Sequence, residues 1–89
     1  MAWRIELDPA VGKDLKRIGP ENVKRILAFL RERVAPLDDP RSLGEALHGP
    51  ELGRFWKYRT GNYRIIALIQ DHIITIRVIR IGHRRDVYR

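Results

Sequence analysis

The last third of the chain consists of three stretches of strand-forming residues separated by two short turn sequences. All three stretches are dense in β-branched and aromatic residues: they cover residues 54–60, 63–70 and 73–81. Gly61-Asn62 and Asp71-His72 stand between them, and two-residue turns of this kind join antiparallel neighbours. The sequence therefore predicts a three-stranded antiparallel meander, which is the feature that most narrows the folds open to this chain.

Two-residue turns also determine which residues face one another, and therefore the face of the sheet on which each side chain lies. The first turn pairs Arg59 with Arg64, and the second pairs Gln70 with Ile73. One face then carries the almost wholly apolar set Trp56, Tyr58, Tyr63, Ile65, Ala67, Ile69, Ile74, Ile76 and Val78. The opposite face carries the mixed set Lys57, Arg59, Arg64, Arg77, Phe55, Ile66, Leu68, Ile79 and Ile81. A first turn of three residues would instead move Arg64 to the apolar face.

The mixed face is more basic than folding requires. Arg59 and Arg64 placed opposite each other destabilise a strand pair, because like charges repel. Binding of a phosphate group does require cations close together. The apolar residues between the cations indicate that the same face also meets a protein or a base.

The first 35 residues predict one short strand and two helices. Residues 3–7 alternate apolar and charged side chains, as a half-buried strand does. Asp8-Pro9 is a typical helix start, and apolar spacing of three and four residues predicts a helix of about ten residues after it. The same spacing predicts a second helix over residues 20–34, and the tight break before it predicts an antiparallel helical hairpin.

Residues 36–53 are rich in Pro, Gly and Asp and predict an irregular loop. The predicted fold class is therefore α+β, with an antiparallel sheet in the order β-α-α-β-β-β. The αα-hairpin packs on the apolar face of that sheet. No composition shift marks a boundary, so we expect a single domain over residues 1–89.

The charge of the chain is concentrated at one end. The formal net charge is +7, and residues 1–53 contain equal numbers of basic and acidic side chains. All of the excess lies in residues 54–89, where eight of nine cations are Arg. Arg has the planar fork that matches phosphate, so the pattern favours a nucleic-acid partner. The alternative is solubility charge on solvated strand edges.

Composition also excludes several classes of protein. There is no cysteine, which excludes a disulfide framework and a thiolate metal site. No apolar run approaches the roughly 20 residues of a membrane span, and the first residues lack a signal-peptide pattern. We therefore expect a cytoplasmic protein with no membrane contact, no cofactor and no metal.

Two motifs give the chain a resemblance to a known family. The turn sequence RTGNYRII (59–66) is similar to an Arg-x-Gly-x-Tyr-Arg hairpin, and the end of the chain, IGHRRDVYR (81–89), is similar to a Gly-His-Arg-x-x-x-Tyr-Arg signature. Together with the Leu-x-Gly at residues 47–49, they resemble the RelE/ParE superfamily of toxins from toxin–antitoxin pairs. The resemblance covers essentially the whole chain.

This resemblance implies a RelE-like fold and, for the RelE branch, cleavage of mRNA in the ribosomal A site. It implies that Arg64 stabilises the scissile phosphate, that Arg84 assists it, and that Tyr88 stacks on a base or assists proton transfer. Lys57 matches a basic position of the preceding strand. One departure is Phe55, where the RelE branch often has a second lysine, and Arg54 or Arg59 can substitute for it.

The implied reaction is attack of a ribose 2′-OH on its own 3′-phosphate, which needs a base, charge stabilisation and an acid. No convincing Glu/His pair is visible, because Glu45 lies in the loop and His48 has no motif around it. Neighbouring cations lower the pKa of a lysine, so Lys57 is the candidate base. His83 is the candidate acid; the alternative is a strand-end histidine bonded to backbone.

The remaining candidates concern binding. We expect RNA or ribosome contacts from the other cations of the basic end: Arg54, Arg59, Arg77, Arg80, Arg85 and Arg89. We expect the acidic helical segment of a RelB-like antitoxin on Ile66, Leu68 and Ile79. Two alternative functions stay open: a ParE-like inhibitor of DNA gyrase, and an RNA-binding homologue without catalysis.

Overall fold

The computed structural model describes residues 2–50 and 52–83, and its elements follow the predicted order with one short strand added. They are β1 (Arg4–Leu7), α1 (Gly12–Ile18), α2 (Pro20–Phe29), β2 (Glu45–Ala46), β3 (Trp56–Thr60), β4 (Tyr63–Gln70) and β5 (Thr75–His83). A 3-10 turn over Pro9–Val11 leads into α1, and α2 continues as a π-helical turn over Leu30–Val34. None of the helices within these described ranges is long and apolar enough to cross a membrane.

Local chemistry explains where the helices begin and how they are joined. Asp8 caps the first turn, because its carboxylate accepts the Ala10 N–H at 2.9 Å, and Pro9 follows it at the first helical position. Gly19 separates α1 from α2 with a φ of 91°, a backbone conformation that favours glycine. A single residue therefore separates the two helices, and the sequence predicts a break at this place.

The five strands form one sheet in the order β1-β5-β4-β3-β2. The predicted α+β class, with the helical hairpin on one face, is confirmed. The sheet is mixed, because β1 lies parallel to β5 while the other pairs are antiparallel. The turn residues predicted only the pairing of consecutive strands, so they carried no information about β1.

The first predicted turn is confirmed: Arg59 lies opposite Arg64. The second predicted turn is wrong, because Asp71–Ile73 form a 3-10 turn and Gln70 pairs with Thr75. A two-residue hairpin of the favoured type needs positive φ in the turn, and Asp-His does not supply it. The connection is instead longer and ends at Ile74, whose φ of 49° comes directly before the first residue of β5.

A bulge in β5 changes the faces of the residues that follow it. Ala67 pairs with Val78 but Ile66 pairs with Arg80, so Ile79 is an extra residue. After this bulge the alternation of side chains is reversed. Ile81, which was predicted on the mixed face, is fully buried in the main core, and Arg80 instead shares a face with Ile66.

The main core lies between the helical hairpin and the sheet. Its buried members come from both layers: Val11, Ile26, Leu30, Val34, Tyr58, Ile65, Ala67, Ile76, Val78 and Ile81. The loop before β3 is tied to this core by two hydrogen bonds, from the Tyr58 hydroxyl to the Pro40 carbonyl at 2.6 Å and from the Trp56 indole to the Leu43 carbonyl at 2.7 Å. These two bonds therefore hold the loop against the sheet beside β3.

Candidate functional site

The face of the sheet opposite the helices, called the outer face below, brings several predicted site residues together. Lys57 lies opposite Ile66 on the neighbouring strand, and Arg59 lies opposite Arg64. Arg64 has Gly82 on its other side, so no side chain competes with its guanidinium there. The predicted grouping of Lys57, Arg59 and Arg64 on one face is therefore what the strand register produces.

Lys57 is paired with a carboxylate that sequence reasoning did not select. The ammonium of Lys57 lies 2.9 Å from Glu45 Oε1, with side-chain exposures of 16% and 58%. The hydrogen bond from Lys57 lowers the pKa of the Glu45 carboxyl, and the charges of Lys57, Arg59 and His48 lower it further. Glu45 is therefore ionised near neutral pH and can accept a proton.

Glu45 reaches this position because residues 45–46 form β2, paired with Lys57 and Trp56. The glycine before Glu45 allows β2 to lie close to β3. Gly44 has a φ of 81°, and a Cβ there would lie 2.3 Å from the backbone oxygen of Lys57. A glycine required by such close contact indicates that two segments touch.

His48 lies near the same pair. A hollow of about 360 Å³ is lined by Glu45, Ala46, Leu47, His48, Leu52 and Lys57. Glu45 and His48, which the sequence did not indicate as a pair, therefore line one hollow. The pair is visible only after β2 folds back on β3.

Arg77 and Arg54 have local partners. The guanidinium of Arg77 lies 2.9 Å from Asp8 Oδ2 and also bonds to Glu6, so its charge is balanced by two carboxylates of the first eight residues. The guanidinium carbon of Arg54 lies 4.9 Å from the ring centroid of Phe55. Arg77 therefore ties β1 to β5, and its predicted contact with RNA stays a prediction.

His83 does not join Lys57 and Arg64. It lies opposite Tyr63, and the two rings meet edge to face with centroids 6.1 Å apart. Tyr63 packs against the main core, so His83 is on the helical side of the sheet. The bulge at Ile79 explains this position, because it reverses the faces of the last residues of β5.

The predicted antitoxin contacts are only partly accessible. Ile66 is 5% exposed, because Leu47 packs on it together with Phe55 and Ile79. Leu68 and Ile79 are half-buried. The apolar area available to a partner is therefore smaller on this face than alternation alone predicted.

The remaining predicted residues lie at the end of the chain. Arg84, Arg85, Tyr88 and Arg89 are outside the described residues, so their roles stay predictions. Arg80 is half-buried on the outer face beside Ile66. Within residues 2–50 and 52–83, no group of three His, Asp or Glu side chains is placed to hold a metal ion.

The sequence of the chain is similar to those of known toxins. Residues 5–88 match the model of a family described as "ParE toxin of type II toxin-antitoxin system, parDE". Toxin RelG of Mycobacterium tuberculosis is 26% identical over 89 residues, which are 100% of this chain and 99% of that protein.

Two solved structures show the shared fold. The toxin–antitoxin complex RelBE2 of Mycobacterium tuberculosis has a TM-score of 0.83 and 23% identity, covering 97% of this chain and 95% of the other. A mutant of the E. coli toxin RelE in complex with an antitoxin RelBc peptide has a TM-score of 0.69 and 22% identity, covering 93% and 84%.

Proposed function

Because the chain belongs to the ParE toxin family of type II toxin–antitoxin systems, we propose that it is a ribosome-dependent endoribonuclease that cuts mRNA in the A site and so inhibits translation. The observation that carries the proposal is the ionised Glu45 held by Lys57 beside the Arg59–Arg64 pair. A proton acceptor next to two arginines that face each other on neighbouring strands provides groups that cleavage at a phosphate requires. Such a reaction takes place in the cytoplasm and needs no cofactor.

The proposed reaction begins at the ribose next to the scissile phosphate. Its 2′-oxygen attacks phosphorus and gives its proton to Glu45, while Lys57 holds the carboxylate in place. This revises the assignment of Lys57 as the base, because a lysine bonded to a carboxylate is stabilised as the ammonium ion. Arg64 stabilises the negative charge that develops on the phosphate oxygens.

The reaction ends when the bond from phosphorus to the 5′-oxygen breaks, and that oxygen takes up a proton. Two side chains are candidates for the donor. His48 lines the hollow beside Glu45 and Lys57, and an imidazole is a common proton donor in catalysis. Tyr88 is the donor implied by family resemblance. Substitution of each, His48→Ala and Tyr88→Phe, separates the two assignments.

The ribosome is the proposed source of substrate geometry. Holding the 2′-oxygen in line with the scissile bond contributes several kcal/mol, about as much as a second good acid or base. An exposed site such as this one, with a carboxylate that is a weak base, therefore depends on a bound and oriented mRNA. We expect little cleavage of the same mRNA free in solution.

The test is incubation with ribosomes programmed with a defined mRNA. The wild-type chain should cut within the A-site codon, and Arg64→Ala should lower the rate by about 10²-fold, the usual effect of removing one charge stabiliser. Arg31→Ala is the matched control, since Arg31 is exposed on the helical side. Absence of A-site cleavage by the folded wild-type chain would refute the proposal.

Inhibition of DNA gyrase is the second candidate, and the observation that favours it is the family match itself, which is to ParE. This function predicts that the chain blocks supercoiling by gyrase and that Glu45→Gln has no effect on the block. Cleavage of mRNA without any effect on gyrase would exclude it.

We also propose a RelB-like antitoxin as partner, since the solved relatives are toxin–antitoxin complexes. Its acidic amphipathic helix would lie on the outer face, where half-buried Leu68 and Ile79 adjoin the cations. Leu68→Asp should weaken the complex, whereas Leu52→Asp, at another exposed apolar position, should not. Equal effects of the two substitutions would contradict this docking site.

A further inference from the structure

A cleft lies at the edge of β3, between the sheet and the end of the second helix. Its volume is about 500 Å³, and it is lined by Phe29, Arg33, Leu43, Gly44, Glu45, Lys57, Arg59 and Thr60. It opens there because β2 is two residues long and pairs only with Trp56 and Lys57. Beyond Lys57, no strand of the described residues lies beside β3 on that side.

Two guanidinium groups line this cleft without a salt bridge to a carboxylate among residues 2–50 and 52–83. Arg33 comes from the π-helical turn after α2 and Arg59 from β3, and both residues are exposed. Other cations of the same chain are neutralised locally: Arg41 by Asp71 at 2.8 Å and Arg77 by Asp8 at 2.9 Å. The salt bridges of the described residues therefore do not account for two arginines facing one opening.

The cleft is continuous with the proposed cleavage site. Arg59, which lines the cleft, lies opposite Arg64 on the sheet. The ion pair of Glu45 and Lys57, which belongs to the proposed cleavage site, also lines the cleft. The phosphates of a nucleic-acid strand are regularly spaced. When one phosphate lies at Arg64, the next phosphate therefore lies near Arg59. The opposite wall contains Phe29 and Leu43, which pack against the core and offer apolar surface to a ribose or a base.

We propose that this cleft is a second phosphate subsite for single-stranded RNA, in which Arg33 and Arg59 bind the phosphate of a nucleotide next to the cleaved one. The proposal takes its substrate from the proposed function and adds a helical residue, Arg33, to the RNA-binding surface. A planar guanidinium on each side of the cleft suits bidentate contact with one phosphate.

The test measures binding of a short single-stranded RNA carrying 2′-O-methyl groups, which has no free 2′-OH and so is not cleaved. Arg33→Ala should weaken binding about tenfold, the contribution of a charge-assisted hydrogen bond. It should also reduce the slope of log affinity against log salt by about 0.7, the value for one lost phosphate contact on a single strand. Arg33→Lys, which keeps the charge, should retain most of the slope.

Arg31→Ala is the matched control, because Arg31 is exposed on the same π-helical turn and does not line the cleft. Equal affinities and slopes for Arg33→Ala and Arg31→Ala would overturn the subsite. Loss of antitoxin binding in Arg33→Ala, with an unchanged RNA slope, would assign the cleft to the antitoxin and also overturn it.

The binding test uses neither ribosomes nor cleavage, so its failure is distinguishable from failure of the proposed function. A wild-type chain that cuts A-site mRNA while Arg33 has no effect on RNA binding refutes the subsite alone. A chain that never cuts mRNA but shows the Arg33-dependent slope refutes the nuclease and keeps the subsite. In the ribosome assay, Arg33→Ala should raise KM and leave kcat nearly unchanged, since Arg33 binds the neighbouring phosphate and takes no part in the proton transfers.

Discussion

The carboxylate of Asp14 accepts a backbone hydrogen bond from β5 that a neighbouring strand would otherwise accept. Its removal should measurably lower the free energy of unfolding. β1 pairs with β5 only as far as Val78, and beyond it none of the strands that the structure describes lies beside β5 on the side away from β4. There the carboxylate of Asp14, on α1, accepts the Ile81 N–H at 3.0 Å in a buried position. Asp14 is 7% exposed and Ile81 is fully buried, so water cannot easily replace this bond.

The expected cost follows from that burial. Asp14→Ala leaves a buried backbone donor without an acceptor, which costs about 1–3 kcal/mol. The nearby Arg17 contributes little, because it lies 3.5 Å away and its side chain is 59% exposed. We therefore expect the free energy of unfolding to fall by about 2 kcal/mol, equivalent to roughly 10 °C in Tm for a domain of this size.

Asp14→Asn is the matched control, because the amide oxygen still accepts the N–H while the charge is lost. We expect it to cost under about 1 kcal/mol, since removing a buried charge also removes its desolvation penalty. Urea unfolding followed by tryptophan fluorescence gives the free energies, and amide hydrogen exchange reports the Ile81 N–H directly. Equal stability of the Ala and Asn variants, or unchanged protection of Ile81 in both, would refute the reasoning.

Three further predictions concern the proposed base, the β4–β5 turn and the ion pairs of β1. Glu45→Gln should lower A-site cleavage by about 10²-fold or more without weakening antitoxin binding, and full activity of this variant would exclude Glu45 as the base. Because Lys57 lowers the pKa of Glu45, the loss of wild-type cleavage as pH falls should come at a lower pH than for an ordinary glutamate. Ile74→Asn should raise stability by about 1 kcal/mol, because asparagine tolerates the positive φ that a β-branched residue does not, whereas Ile73→Asn should give no gain. The hydrogen bonds from the Ala10 N–H and Arg77 lower the pKa of Asp8 in the folded state. The ionised Asp8 therefore stabilises the fold above the unfolded pKa, and this stabilisation is lost as pH falls through the lower folded pKa. Asp8→Asn should make Tm fall less steeply at acidic pH, and an unchanged fall in Tm would contradict this.

Turn chemistry and alternation predicted much of the sheet, and their failures have specific causes. Gly61-Asn62 predicted the pairing of Arg59 with Arg64, since a glycine in a two-residue turn leaves few alternatives. The two-residue turn predicted at Asp71-His72 is wrong, because the residue with positive φ is Ile74. Turn propensities do not predict isoleucine at such a position. The bulge at Ile79 has no sequence signal of its own, since it follows from how β5 packs between two strands.

The candidate site was predicted only where its residues lie on consecutive strands. Lys57, Arg59 and Arg64 were found from local register alone. Glu45 was missed because its contact with Lys57 depends on β2, a two-residue strand too short for any periodicity. The expected acid, His83, is on the helical side of the sheet for the same reason that Ile81 is buried.

The position of β5 between β1 and β4 has a consequence for the order in which the molecule can be assembled. Partners such as Glu6 and Arg77 are 71 residues apart, so the first strand stays without its neighbour until the last one has been synthesised. Contacts of such long range are formed late and slowly. The helical hairpin and the β3–β4 hairpin can form while the chain is still being made, but the sheet cannot close. The toxin therefore becomes a complete fold only after β5 has been synthesised, which leaves an interval in which a partner protein can meet the incompletely folded chain.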